Sequence, residues 1–237
     1  MIQSSPAGLI RQRLVVLAMV GGPLLLAAGT LFVPADVDSK ADSLQATVAQ
    51  LQVAAAHGGQ VFAAFLAHVL GGLLLIPAVG GLLRLAHHRG AALATTGGVL
   101  AGIGAGFIAA DAALFGLTSY FASAPGLDQA AMARYLFTMK ADPGAYLLFF
   151  VYLLFPLGIL VTAIALLRAR TVAPWQPWLL LVGILLAVAA PGGIVGGLEQ
   201  LPLIAAFTAL ASHLWQPATT PTPTWSTATP TPAGAAN

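Results

Sequence analysis

The sequence predicts an all-α polytopic membrane protein, a bundle of six transmembrane helices with two short amphipathic helices on its outer face. Three observations predict it. Hydrophobic residues make up 59% of the chain and charged residues only 7%, against about 25% charged in ordinary soluble domains, so water could not keep the surface solvated. Apolar stretches of about 20 residues recur, each long enough to cross a hydrocarbon core roughly 30 Å thick. The few charges fall in the gaps between those stretches and segregate by sign. Strand-like alternation is absent, and lipid offers no partner to unpaired backbone, so the spans must be helices.

The first span covers about residues 14–33, after Arg11 and Arg13. Val33-Pro34-Ala35 has the small-residue look of a signal-peptidase site. The apolar run is longer than the 7–15 residues usual for a signal core, which favours a retained helix. The second span is about 59–85 and the third about 92–121. The fourth begins after Asp142-Pro143 and ends near Leu167. The fifth is about 177–198, bent at Pro191-Gly192-Gly193, and the sixth, 201–215, is short. Five spans are the alternative. Pro77 and Pro156 join Pro191 as expected kinks. Glu199-Gln200 reads as a tight outer turn.

Arg11, Arg13, Arg84, Arg89, Arg168 and Arg170 fall on one side of these spans. Lys40, Arg134 and Lys140 fall on the other, with Asp36, Asp38, Asp42, Asp128, Asp142 and Glu199. The excess of Lys and Arg marks the cytoplasmic face, which places the N-terminus there and, after six spans, the C-terminus too. Trp175, Trp178 and Trp215 then lie at the inner interface. Residues 1–215 form the helical domain. Residues 216–237, rich in Pro and Thr, cannot bury an apolar face and read as a disordered tail. The tail also resembles a glycosylated stalk, which would require five spans or a re-entrant sixth segment. The chain looks like a small multi-pass protein of a bacterial inner membrane, and no motif ties it to a family.

Two loops carry helical stripes: Leu44, Val48 and Leu51 in one, and Met132, Tyr135, Leu136 and Met139 in the other. Each precedes an inward-running span, so both helices belong on the outer surface, as interfacial packing or as a lid over a cavity. A shift of 84 residues lays the second span on the fourth, with Phe65 on Phe149, Leu70 on Leu154, Leu83 on Leu167 and Arg84 on Arg168. The shared layout of residues 14–89 and 98–170 reads as a parallel repeat. It predicts two hairpins in a four-helix core, with two further helices after it.

Asp111 stands inside the third span, where an ionised carboxylate costs about 2.5–3.5 kcal/mol on insertion scales. Such a residue is expected to face the interior and to have a partner at its own depth. Asp111 lies about nine residues, roughly 13 Å, from the outer end of its span. His68 on the second span and Tyr152 on the fourth lie at the same depth. Asp111, His68 and Tyr152 are therefore the candidate ligand or proton site, and buried polar glue is the competing reading. Gly98, Gly102 and Gly106 permit close helix approach nearby.

His87, His88 and His213 at the inner side are a weaker alternative, as metal or haem ligands, because no ligand spacing supports them. Cysteine is absent, which removes disulfides, thiolate catalysis and cysteine-bound metals. No phosphate loop, nucleophile elbow or dinucleotide fingerprint is present. No cofactor is expected. The expected partners are the lipid bilayer and a membrane-protein partner or second copy, and nucleic acid is not among them. Function divides between a membrane protein binding a small ligand or proton under an outer lid and a non-catalytic accessory subunit packing through glycine-rich faces. An intramembrane enzyme or haem protein comes third.

Overall fold

A computed structural model describes residues 6–34, 43–86, 90–189 and 193–215. The described residues are helical, with no strand among them. The helices are α1 (Pro6–Phe32), α2 (Leu44–Ala56), α3 (Gly58–Leu85), α4 (Ala91–Asp111), α5 (Thr118–Ala122), α6 (Gln129–Ala141), α7 (Pro143–Tyr152), α8 (Leu154–Ala169), α9 (Trp175–Ala189), α10 (Gly193–Glu199) and α11 (Leu201–Trp215). A π-helical segment, Ala112–Leu117, joins α4 to α5.

Five helical stretches are long and apolar enough to cross a membrane: Ala7–Phe32, Gly58–Leu85, Ala91–Ala122, Phe150–Ala169 and Ile194–Trp215. The shorter apolar α9 has 15 residues, about 22 Å at 1.5 Å per residue. The expected fifth and sixth spans are therefore redrawn. The fifth helix is described from Trp175 to Ala189. Ile194–Leu198 belongs to the sixth, which is the long one. Glu199-Gln200 is no outer turn: Gln200 is a one-residue break inside that helix, and Pro202 just after it has no N–H to give to the ladder.

The long helices form a ring in which each touches the next: α1, α3, α4, α8, α9 and α11, with α11 returning to α1. The two expected hairpins, α1 with α3 and α4 with α8, are both present as tightly packed pairs. They do not close into a four-helix core, because α9, α10 and α11 complete the ring. Glycines set the spacing and show the direction. Gly71 packs on Leu26, Gly22 on Leu75 and Gly29 on His68, so α1 and α3 are antiparallel. Gly97 meets Thr162 and Gly104 meets Phe155, so α4 and α8 are antiparallel as well. A side chain at Gly104 or Gly158 would run into the backbone of the facing helix. This is the close approach that small residues allow where lipid supplies no hydrophobic drive for association. Gly102 and Gly106, in contrast, face open space.

Pro156 has no N–H to offer the Tyr152 carbonyl, and the fourth long helix is interrupted at Leu153. Helices α1 and α3 run through Pro23 and Pro77 without a break. Pro191 lies outside the described residues, as do the tail from residue 216 onward, His87, His88 and Arg89.

Two separate apolar cores result. The main one fills the ring, with Leu75, Leu82, Ile159, Leu166, Leu180, Phe207 and Leu210 fully buried. The second is small and joins α2, α5 and α6 through Leu51, Ala122, Ala133 and Leu136. These three short helices cap the end of the ring where α1 finishes and α3 begins.

Candidate functional site

Asp111 is the last residue of α4, and the π-helical segment starts at the next position. A π turn inserts an extra residue into the helix and recurs at functional sites. Here it seats Gly116 against the ring of Phe65 on α3. The Asp111 side chain is on the accessible side of α4. The charge that interacts with it is the Lys140 ammonium in the last turn of α6.

Lys140 is half-buried beneath the cap. Its Nζ donates to Oε1 of Gln50 on α2 at 3.5 Å, and Gln50 is itself buried. Burial pushes the Lys140 pKa below its ordinary 10.5, and the Asp111 carboxylate opposes that by favouring the charged ammonium. A carboxylate from the ring and an amide oxygen from the cap thus both act on one ammonium.

His68 is turned the other way. Its Nδ1–H donates to the Ala64 carbonyl at 3.0 Å, and Nε2 meets Thr30 Oγ1 on α1 at 3.3 Å. Thr30 donates to the Leu26 carbonyl at 3.0 Å and accepts from Gln200 Nε2 at 2.9 Å. His68 therefore belongs to a polar set that ties α1, α3 and the sixth long helix together. Its level along the axis is close to that of Asp111, since Gly72 packs on Ala109 and Gly116 on Phe65.

Tyr152 sits deeper. The register that sets Gly104 on Phe155 and Gly97 on Thr162 carries Tyr152 to the level of Phe107, about one turn or roughly 6 Å below Asp111. There Tyr152 packs against the main core. The expected layer of Asp111, His68 and Tyr152 is neither shown nor excluded by these positions, and the charge that acts on Asp111 is that of Lys140.

Compared with protein-family models, curated proteins and solved structures, the chain finds no match. The site has to be read from its own chemistry.

Sequence reasoning passed over Lys140, Gln50, Thr30 and Gln200. A signal for Gln50 existed. The face that α2 buries is Thr47, Gln50, Leu51 and Ala54, an i, i+3, i+4, i+7 pattern with two polar members. The apolar stripe misdirects there, since Leu44 is exposed. On α6, Leu136 is buried with Met132 and Met139 against it, while Tyr135 faces out.

At the opposite end, His213 Nε2 meets Gln176 Oε1 at 3.0 Å, joining α11 to α9. Among the described residues no three His, Cys, Asp or Glu side chains gather as a metal site. Trp175, Trp178 and Trp215 are exposed at this end, the end that also carries Arg84, Arg168 and Arg170.

Proposed function

We propose that the chain is a six-span membrane protein that binds a small polar ligand or a proton at Asp111 under an outward-facing cap. The observation that carries the reading is Asp111 standing in an apolar helix, its carboxylate interacting electrostatically with Lys140 on a capping helix. Ionisable groups in apolar spans are costly and default to functional roles. A pair of opposite charges offers one group for a ligand cation and one for a ligand anion. The alternating directions around the ring support six crossings, with α9 as the short one. The arginine-rich end, with its tryptophan belt, is the cytoplasmic end. The cap, with Asp128 and Asp142, then faces outward.

The test is native mass spectrometry of the purified chain. Wild type should retain a small molecule that Asp111→Asn loses while keeping its helical content. No retained molecule in wild type, or equal retention in the variant, removes the ligand reading. Proton release on acid–base titration of wild type but not of Asp111→Asn would retain the proton reading alone.

A second reading, an accessory subunit packing on a partner helix, is favoured by one observation. Gly102 and Gly106 present an open small-xxx-small face on α4, flanked by exposed Val99 and Ile103. Such faces allow close helix contact. Loss of a co-purifying membrane protein in Gly102→Leu, with the chain itself still folded, would support it.

A further inference from the structure

The hydrogen bonds that tie α1, α3 and the sixth long helix together can be counted donor by donor. The His68 ring lies in a slot over Gly29, where a side chain at residue 29 would collide with Nδ1 and Cε1. Nδ1 is 3.0 Å from the Ala64 carbonyl oxygen, which can only accept, so Nδ1 carries a proton. Nε2 is 3.3 Å from Thr30 Oγ1. A hydroxyl has one proton to give and two lone pairs to receive with. Thr30 Oγ1 receives the Gln200 amide at 2.9 Å. Its own proton has two acceptors in reach, the Leu26 carbonyl at 3.0 Å and His68 Nε2. When the proton goes to Leu26, Nε2 must donate to Oγ1, and the ring is an imidazolium. When it goes to Nε2, the ring is neutral with its one proton on Nδ1. Each of these groups keeps a partner in both states, since the Leu26 carbonyl stays in the ladder of α1.

From this count we infer that His68 is a proton-binding site, and that the Thr30 hydroxyl, turning between Leu26 and His68, passes the charge state of the ring to Gln200. The step is small and balanced. The Nε2 lone pair takes one proton from water, the Thr30 O–H leaves Nε2 for the Leu26 carbonyl, and the new Nε2–H donates to Oγ1. No other bond is made or broken. A half-buried imidazolium is costly unless both of its N–H groups find acceptors, and both do here. Gln200 is the buried one-residue break of the sixth long helix. With a neutral ring its amide is the only donor in the set to Oγ1. With a charged ring it shares that oxygen with a cationic donor, which makes the stronger bond. Proton uptake therefore loosens the side-chain tether of the break. Helix α3 packs against α1, α2, α4, the π segment, α5, α8 and α11. The ionisable groups that these elements and α3 itself carry towards the same end are Asp111, Tyr120 and His57, with Glu199 next to Gln200. Arg11, Arg13, Arg84, Arg168 and His213 lie towards the other end. The inference does not rest on the reading of Asp111.

The test is nitrogen-15 magnetic resonance of the full chain in lipid bilayers, with histidine rings and glutamine side chains labelled. The chain has five histidines, and the His68 and Gln200 signals are assigned as those missing in His68→Gln and Gln200→Leu. At high pH His68 should carry its proton on Nδ1 with Nε2 bare, the reverse of the form that solvated histidines prefer. As pH falls, both ring nitrogens should become protonated while the chain stays folded, and the Gln200 side-chain amide should shift with the same midpoint. Thr30→Val should abolish that amide shift, and Thr30→Ser, which keeps the hydroxyl, should retain it. A neutral ring protonated on Nε2, or no ring protonation over the pH range in which the chain is folded, overturns the inference. An amide shift that survives in Thr30→Val overturns it too; should that variant not fold, the tautomer and the titration of the wild-type ring decide alone. Asp111→Asn should behave as wild type in all of this, so the two readings fail separately. Loss of His68 protonation in Asp111→Asn would assign the proton to Asp111 and overturn the inference.

Discussion

The Lys140 ammonium, carried by α6, and the Asp111 carboxylate, at the end of α4, attract one another across the boundary between the cap and the ring. Neither residue is near the other in sequence, and neither belongs to a motif. Their relationship depends on the cap helices folding back over the end of the bundle. That makes the pair the feature from which most consequences of this fold can be tested.

The first consequence is a titration. Burial lowers the Lys140 pKa from 10.5, and the Asp111 charge partly restores it. Asp111→Asn should therefore lower it further. Because the folded chain releases this proton before the unfolded chain does, Lys140 contributes stability above pH 10.5. That contribution is lost as pH falls through its folded value. Amine-reactive labelling of Lys140 against pH reads the shift directly. A Lys140 that titrates at or above 10.5, or one that rises in Asp111→Asn, contradicts the assignment.

A second prediction concerns the polar set at the other seam. Thr30 accepts from Gln200 and meets His68. Thr30→Val keeps the shape and leaves the buried Gln200 amide without that acceptor. The cost should be about 1–3 kcal/mol. Adding Gln200→Leu should recover part of it, since removing both partners is cheaper than orphaning one. Thermal unfolding in detergent of the two single variants and the double variant measures this, and strictly additive losses would argue against a shared bond.

The ring order gives a third. Gly104 and Gly158 lie where α4 and α8 touch, and Gly102 faces open space. Gly104→Leu or Gly158→Leu should abolish the folded protein. Gly102→Leu should be tolerated by the isolated chain. Yield of monodisperse protein on size exclusion separates the cases, and equal tolerance at all three positions would contradict the α4–α8 seam.

Topology gives a fourth. If the proposed six crossings hold, with the arginines at the cytoplasmic end, a reporter fused after Trp215 that works only outside the membrane should stay silent. The same reporter inserted between Ala124 and Asp128, beside the cap, should be active. The reverse pattern would invert the orientation, and activity at both places would remove one crossing.

Much of the fold was legible because length and hydropathy alone define a membrane helix. Leu14 to Val33 and Gly59 to Leu85 could hardly be anything else. The last two helices were misdrawn because Gly193 to Leu198 is apolar enough for either helix, and only its contact with Leu31 of α1 decides. Counting along each helix gives a level for Asp111 and for His68. It does not give the face, since a helix with apolar residues all round has no polar side to orient it. His68 turned to Thr30 because Gly29 opens a slot opposite it. That is a pairing across sequence-distant helices which no local pattern records. Lys140 and Gln50 were missed because they lie on short helices that looked like surface elements.

A double-mutant cycle on Asp111→Asn and Lys140→Met, read by equilibrium unfolding of the purified chain, tests the central relationship most directly. Residues in contact show interaction energies of about 0.5–3 kcal/mol, whereas independent sites add to within roughly 0.3–0.5 kcal/mol. An electrostatic interaction between Asp111 and Lys140 predicts a coupling above about 0.5 kcal/mol that shrinks at high salt. Additive effects, with no dependence on salt, would contradict it.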